Sequence, residues 1–287
     1  MGLYRIRKGV MIMKIYPKIS DDLEGLESLR SEIEESKGIE LQFFHNEGIW
    51  GNFNIVSSIE ALINEIPSIE EVTIHPPLNY YDIELVISKD INIIKKQLRE
   101  CVELSEKYNI KVNLLYHTVW PIEMIEQDVL SKIKEVVNLI EGTKVQILIE
   151  NIYTSLTERN RKCTIIEICN RINSSHLKIC LDICHLHCLA NILQKDFDNF
   201  IKEYIDKELA AKYIYQIHFA ATKNNDGYID RKTHGRKHDD LEELKQDYRI
   251  LEDLNLTNTN IVTEISEDDY INRLDQKYEI ELLKKLK

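Results

Sequence analysis

Asp182 and His185 stand three residues apart, immediately after a short apolar run of the chain. The run, from Leu177 to Leu181, has the nearly continuous hydrophobicity of a parallel strand that is covered on both faces. Where this strand is expected to give way to a loop, a carboxylate and an imidazole can face one cavity and bind a metal ion. The pair alone is a weak signal, because an Asp that caps a helix and a surface His would have the same spacing.

The same arrangement recurs along the chain. Histidines or acidic residues also end other apolar runs, at His75, His117, Glu150, His218 and Glu264, and His234 and His238 follow His218. Imidazoles and carboxylates without paired thiolates suit zinc, manganese or iron, whereas a calcium site would be nearly all oxygen. One such histidine could merely satisfy a buried hydrogen bond, but the set exceeds the three or four protein ligands of one catalytic ion. We therefore predict a site of two or three ions that share bridging carboxylates.

The elements that must position these side chains are eight apolar runs separated by segments of helical periodicity. We predict strands at residues 13–19, 39–44, 72–75, 112–117, 145–150, 177–181, 214–218 and 261–264. Leu23, Leu26, Leu29 and Ile33 form a stripe of helical spacing that Gly38 would end, and further helices are expected around 59–66, 91–108, 121–140 and 165–172. Eight strand–helix units in a chain of this length predict an α/β protein built as a single (β/α)8 TIM barrel.

In such a barrel the carboxyl ends of the strands form one rim, which is where barrel enzymes place their active sites. The predicted ligands would therefore converge on one cavity. A doubly wound open sheet is the alternative architecture. Its usual nucleotide-binding form is disfavoured, because no GxGxxG or GxxxxGK[ST] loop follows any predicted strand.

Length and composition predict one domain. The 287 residues are 43% apolar, and no repeat, linker or low-complexity run divides them. Because Met13 begins the first predicted strand, the barrel domain would span residues 13–287, and residues 1–12 would be an N-terminal extension or a start-site variant. No apolar stretch reaches the roughly 18 residues of a membrane span, so we expect no membrane partner, and we favour a monomer.

Charge and cysteine usage narrow the protein class further. The net charge of −12 argues against nonspecific coating of nucleic acid, although it does not exclude a nucleic-acid enzyme. The six cysteines include no CxxC pair, which favours reduced thiols and a cytoplasmic location. Cys180, Cys184 and Cys188 are spaced by four and could form a metal-binding face, but packing as small apolar side chains is the preferred interpretation.

The order and spacing of these residues resemble the endonuclease IV family of abasic-site (AP) endonucleases, a trinuclear zinc branch of the xylose isomerase-like barrels. The resemblance is sharpest in KICLDICH (178–185), ILIEN (147–151) and IVTEIS (261–266), and the LLYH that ends the fourth strand favours this branch over simple sugar isomerases. Two loops depart from the family: PPLNYY (76–81) and IYTSLTERN (152–160) replace segments that in the family grip and bend abasic DNA. Specificity for DNA therefore stays open.

The resemblance implies a role for each candidate ligand. Glu150 would bridge two metals, with His75 and His117 completing the first site and Asp182, His218 and Glu264 completing the second. His185 and His234 would hold a third ion on the side away from Glu150. The family also uses an Asp there, but Lys232 stands at that position, so Asp230, His238 or Asp239 would have to substitute.

The resemblance also implies zinc, in two or three copies, and hydrolysis of a phosphodiester on the 5′ side of an abasic site; manganese and iron are the alternative ions. Glu150 and Glu264 would be catalytic, orienting the attacking water and handling protons. The basic segment of Arg231, Lys232 and Arg236 could bind the substrate phosphate, or it could be an ordinary solvated loop.

Two other functions are compatible with the residues. In a metal-dependent sugar or sugar-phosphate isomerase or epimerase, Glu150 and Glu264 would ligate one ion and shuttle protons at a carbon next to a carbonyl. A catalytically silent binding barrel is the third interpretation, which the intact ligand set disfavours. The expected partner is thus abasic DNA or a phosphorylated sugar.

Overall fold

The computed structural model describes residues 13–43, 54–77, 82–120, 122–152, 163–222 and 235–286. Eight parallel strands form a closed barrel in chain order: β1 (Ile15–Ser20), β2 (Gly38–Gln42), β3 (Glu71–His75), β4 (Lys111–Thr118), β5 (Val145–Asn151), β6 (Leu177–Asp182), β7 (Ile214–Phe219) and β8 (Asn260–Thr263). Pairing of β1 with β8 closes the cylinder. The predicted (β/α)8 barrel is confirmed, and the open doubly wound sheet is wrong.

Helices surround the barrel and pack their apolar faces on its outer surface. Within the ranges above they are α1 (Arg30–Ser36), α2 (Ile55–Glu65), α3 (Ile83–Tyr108), α4 (Gln127–Asn138), α5 (Thr164–Ile172), α6 (Ile183–Ile192), α7 (Phe197–Tyr204), α8 (Lys207–Tyr213), α9 (Leu241–Asp253) and α10 (Leu274–Lys284). A short 3-10 helix, Ile122–Met124, precedes α4. None of these helices is both long enough and apolar enough to cross a membrane.

The first predicted helix is shorter than its apolar stripe indicates. Turns occupy the segment before Arg30, because Leu23 (φ 65°) and Gly25 (φ 84°) adopt left-handed conformations that a right-handed helix excludes. The prediction that Gly38 ends this helix is wrong. Lys37 takes the left-handed capping position (φ 57°), and Gly38 opens β2, where a Cβ atom would lie 2.3 Å from Cε1 of Tyr16.

The loop predicted after the sixth strand is also wrong. Helix α6 begins directly at Ile183, and the Asp182 side chain caps it by accepting a hydrogen bond from the backbone N–H of His185 at 2.7 Å. Asp182 therefore both caps α6 and lies at the barrel mouth. One carboxylate oxygen accepts the capping hydrogen bond, and the cap does not use the other.

The first turns of α3 secure one side of the barrel mouth. Helix α3 is broken at Asp90 (φ −162°), and the part before the break carries the fully buried Glu84. Its Oε1 accepts hydrogen bonds from the backbone N–H groups of Val119 and Trp120, at 2.8 and 2.9 Å. Burial raises the pKa of Glu84 to about 7. This contact fixes the chain directly after β4.

The barrel interior is unusually polar. Such interiors are mostly filled by branched aliphatic side chains, but here the amino end holds Glu71, which accepts hydrogen bonds from Tyr16 Oη, Tyr215 Oη and Asn113 Nδ2. From Asn113 a series of side-chain hydrogen bonds runs towards the carboxyl rim through Thr73, Gln216, Glu40 and His218. The rim is thus connected to the opposite end of the barrel by direct side-chain contacts, and these hydrogen bonds compensate for the burial of the polar groups.

All six cysteines are buried and unpaired. Cys180 packs inside the barrel with Leu115 and Leu148, while Cys184 lies in a separate cluster and donates to the carbonyl of Ala220. The two thiols are therefore packed in different apolar surroundings and do not form one face.

Candidate metal centre

The carboxyl ends of β3 to β8 bring the predicted ligands to one place. His75, His117, Glu150, Asp182 and His218 are buried, and the side chain of Glu264, just after β8, is 20% exposed. Strand register sets their neighbours: His117 lies opposite Glu150, and Asp182 lies opposite His218. Since parallel strands present alternate residues to the interior, these pairs point into the same cavity.

His75, His117 and Glu150 form the first group of donors. The Nε2 atoms of His75 and His117 lie 3.8 and 3.3 Å from Oε2 of Glu150. The two rings are nearly perpendicular, with centroids 5.2 Å apart. Nδ1 of His75 contacts the carbonyl of Pro76 at 3.2 Å, which leaves Nε2 directed at the cluster.

Glu150, Asp182, His218 and Glu264 form the second group, with one ligand atom of each within 4.8 Å of the others. Nδ1 of His218 lies 2.8 Å from Oε2 of Glu264 and 3.4 Å from Oε2 of Glu150. Glu150 belongs to both groups, so it occupies a bridging position. A further group joins Glu150 and His218 to the thiol of Cys180.

His185 lies beside these groups. Its Nδ1 contacts the carbonyl of Asn151 at 2.7 Å and lies 3.4 Å from Oε1 of Glu150 and 3.4 Å from Oδ2 of Asp182. If Nδ1 donates to that carbonyl, an ion would bind through Nε2. The other residues assigned to a third ion or to substrate phosphate, His234, Asp230, Arg231 and Lys232, lie outside the described residues, so the third site stays a prediction.

His238 lies apart from the cluster. Its Nδ1 is 2.6 Å from Glu279 and its Nε2 is 3.0 Å from Asp247, so both ring nitrogens are engaged. The ring also stacks on Phe219. These contacts place His238 in a cluster with Glu279 and Asp247, and its role at a third metal site stays a prediction. Arg236 is described, and its guanidinium lies 3.4 Å from Asp239; its role in binding phosphate stays a prediction.

The electrostatics of the cluster favour an ionised carboxylate among imidazoles. Burial alone would raise the pKa of Glu150, but the rings of His218 and His117 outweigh it and hold this pKa well below its usual range. Burial, reinforced by the nearby charge of Lys18, lowers the pKa of His75 to about 3. Neutral His75 and anionic Glu150 are the forms in which these side chains bind metal ions.

The donor set fits a divalent ion. Oε2 of Glu150 and Nδ1 of His218 are buried and lie close to other carboxylates and imidazoles, but within the part of the chain that the structure describes neither has a hydrogen bond of good geometry. Buried polar atoms are nearly always hydrogen-bonded or bound to a metal, so two such atoms among further carboxylates and imidazoles indicate that the cluster binds a cation. The buried His, Glu and Asp cluster thus suggests a divalent metal site.

Sequence reasoning missed two charged side chains that contact this cluster. Lys18 of β1 and Glu40 of β2 are buried in the barrel, and Glu40 lies 2.9 Å from Nε2 of His218. The sequence could have indicated both residues, because each is a charged residue within a predicted strand that is otherwise apolar. Such a buried charge must have a compensating partner. The partner itself could not be identified from the sequence.

Comparison with known proteins places the fold in a family. Residues 52–286 match the family model described as "Xylose isomerase-like TIM barrel". No curated protein gives a significant match.

Solved structures with the same fold have diverse activities. A D-tagatose 3-epimerase-like protein is 17% identical, with a TM-score of 0.56 over 94% of this chain and 99% of that one. The IOLI protein with a binding zinc atom is 15% identical, with a TM-score of 0.58 over 94% and 95% of the two chains. The mannonate dehydratase from Streptococcus suis is 13% identical, with a TM-score of 0.59 over 96% and 93%.

At these identities the similarity to solved structures establishes the fold and leaves the reaction open. The match of the family model is broader than the endonuclease IV branch that the sequence resembles. Because that model spans most of the chain and the strands form the expected closed barrel, the protein belongs to the xylose isomerase-like TIM barrel family.

Proposed function

We propose that this protein is a metal-dependent isomerase or epimerase of a sugar or sugar phosphate, with Glu150 and Glu264 as its acid–base pair. The observation that carries the proposal is the second donor group, in which Glu150, Asp182, His218 and Glu264 place four ligand atoms within 4.8 Å of one another. This group alone can complete the protein ligands of one catalytic ion. Similarity to a D-tagatose 3-epimerase-like protein supports the proposal as an analogy of fold.

The chemistry follows from the types and positions of the side chains. When bound there, a divalent ion would polarise a substrate carbonyl and make the neighbouring C–H group more acidic. In epimerisation, one of the two glutamates would remove that proton and the other, in its protonated form, would return a proton to the opposite face of the same carbon. In isomerisation, the proton would go to the former carbonyl carbon while the proton of the neighbouring hydroxyl moves to the former carbonyl oxygen. His185 lies beside Glu150 and would donate or accept a hydrogen bond at a substrate hydroxyl.

Phosphoester hydrolysis, with abasic DNA as substrate, is the second candidate function. It is favoured by the first donor group, because a second ion at His75, His117 and Glu150 is not needed for proton transfer at carbon. In that reaction Glu150 and Glu264 would orient the attacking water, and the ions would stabilise the leaving oxygen.

A double variant distinguishes the two functions. His75→Ala with His117→Ala removes the imidazoles of the first group and leaves the second group intact. We expect the variant to retain catalysed exchange of substrate C–H protons with D2O, measured by NMR over a panel of ketoses and ketose phosphates. Metal content, measured by elemental analysis, should fall towards one ion per chain, and Glu264→Gln should abolish the exchange in either background.

The opposite outcome would support hydrolysis. If the wild-type protein nicks abasic duplex DNA, shows no proton exchange above the Glu264→Gln background, and loses nicking in the double variant, the isomerase proposal is wrong.

A further inference from the structure

Glu40 lies directly beneath the second donor group and has a buried partner on each side. Its side chain is fully buried. Oε2 lies 2.8 Å from Nε2 of Gln216 and 2.9 Å from Nε2 of His218, and Oε1 lies 2.8 Å from Nζ of Lys18. Because an ionised carboxylate can only accept hydrogen bonds, the ring nitrogen of His218 that faces Glu40 must carry a proton.

We propose that Glu40 and Lys18 are positioning residues of the metal centre, a role that rests on the proposed metal site and not on the choice of reaction. Glu40 fixes the tautomer of His218, so that Nε2 donates downward and Nδ1 faces the ion. Lys18 holds Oε1 of Glu264 at 2.7 Å, which directs Oε2 of Glu264 towards Nδ1 of His218. Partners of this kind set the orientation and basicity of metal ligands.

Buried hydrogen bonds and ion pairs hold Glu40 and Lys18 in place. Thr73 donates to Oε1 of Gln216 at 2.8 Å, which fixes the amide so that its NH2 group points at Glu40. Lys18 is 8% exposed and links Glu40 to Glu264, so each of the two carboxylates has a compensating charge. Gln216, Lys18 and His218 thus each have their own contact on this carboxylate.

If Glu40 and Lys18 only stabilised the fold, their replacement would lower stability without changing zinc affinity. Tyr215→Phe is the matched control for such a purely structural effect. Tyr215 donates a part-buried hydrogen bond of 2.6 Å to Glu71 at the amino end of the barrel. Its loss should lower the free energy of unfolding. It should leave zinc affinity within about twofold of wild type, because the removed hydroxyl contacts no residue of the donor groups.

The test compares Glu40→Gln, Lys18→Met and Lys18→Arg with wild type and Tyr215→Phe. Zinc affinity is measured by competition with a chromophoric chelator, and the His218 tautomer is read from 15N NMR of the zinc-loaded, histidine-labelled proteins. We expect Glu40→Gln and Lys18→Met to weaken zinc binding by about 10- to 100-fold, and Lys18→Arg to recover part of the loss. Glu40→Gln should also broaden or shift the Nε2–H resonance of His218.

Three outcomes have different consequences for the proposal. If both charge-removing variants bind zinc as wild type does and the His218 tautomer is unchanged, the positioning role is overturned while the metal site stands. If wild-type protein binds no divalent ion, the proposed function fails first. If Glu40→Gln does not fold, Lys18→Met and its Lys18→Arg rescue decide the question by the same two measurements.

Discussion

Glu150 lies between imidazoles at the centre of the candidate metal site. It belongs to each donor group that the described residues form. Its Oε2 lies within 3.8 Å of His75, His117 and His218, so one carboxylate faces ligands from three other strands. Since the surrounding rings keep it ionised, it can bridge two ions or bind one ion and transfer a proton.

Replacing Glu150 by Gln tests this residue. The change keeps the shape of the side chain but removes its charge and presents an NH2 group to the imidazoles. Metal affinity and the rate of proton transfer should therefore both fall. We expect turnover to fall by at least about 100-fold and zinc content to drop, measured by a steady-state assay and elemental analysis. Glu141→Gln, at an exposed position of the turn before β5, is the control. Near-normal turnover and zinc content in the Glu150 variant would contradict the assignment.

At the scale of secondary-structure elements, β1 and β2 pack closely at Gly38 because glycine has no side chain. Gly38 begins β2 against the ring of Tyr16, which is fully buried and donates to Glu71. These two strands also carry Lys18 and Glu40. The close approach of Gly38 to Tyr16 therefore sets the relation between the strands that hold the positioning pair.

Gly38→Ala should destabilise the barrel by roughly 1–3 kcal/mol, because its Cβ would overlap a ring that has no space to move. Urea unfolding followed by circular dichroism measures the change. Gly142→Ala is the comparison, since Gly142 has a positive φ (79°) but nothing within 4 Å of its added Cβ. That variant should lose about 1–2 kcal/mol from backbone strain alone, with no contribution from steric overlap. If Gly38→Ala and wild type have the same free energy of unfolding, the two strands can move apart at this point without destabilising the barrel, and the prediction is wrong.

At the scale of the whole molecule, a second buried charge cluster joins segments that are distant in sequence. His238, just before α9, contacts Glu279 of α10 and Asp247 of α9, and Asp247 also lies 3.0 Å from His187 of α6. Burial alone would lower the pKa of His238, but hydrogen bonds to Asp247 and Glu279 outweigh it and raise the pKa to about 9. The cluster secures the chain that returns from the barrel mouth to the outer helices.

This cluster predicts a pH-dependent stability. A histidine whose pKa is raised on folding stabilises the protein fully below its unfolded pKa of about 6.5, and the contribution is lost as pH rises towards 9. The difference in unfolding free energy between wild type and His238→Gln should therefore shrink by about 2–3 kcal/mol between pH 6 and pH 9.5. Urea titrations at a series of pH values measure it. A difference that stays constant over this range would contradict a charged His238.

The predictable part of this protein lies in features that are local in the chain. Each strand was visible as an apolar run because parallel strands are covered on both faces. The ends of the runs placed His75, His117 and Glu150 at the rim once a barrel was assumed. The turns before α1 and the start of α6 at Ile183 were missed, because backbone conformation there depends on Leu23, Gly25 and the Asp182 cap more than on the apolar pattern.

The sequence by itself determined the barrel, the family resemblance and the kinds of ligand at its rim, since alternation and strand ends are properties of neighbouring residues. The resemblance already implied that Glu150 is shared, but only the tertiary structure decided which nitrogen of His218 faces the donor groups. It also revealed Lys18 and Glu40, whose partners Glu264 and His218 are 246 and 178 residues away in the chain. Contacts at such separations arise only when the sheet closes, because no local pattern records which buried charges will meet inside the cylinder.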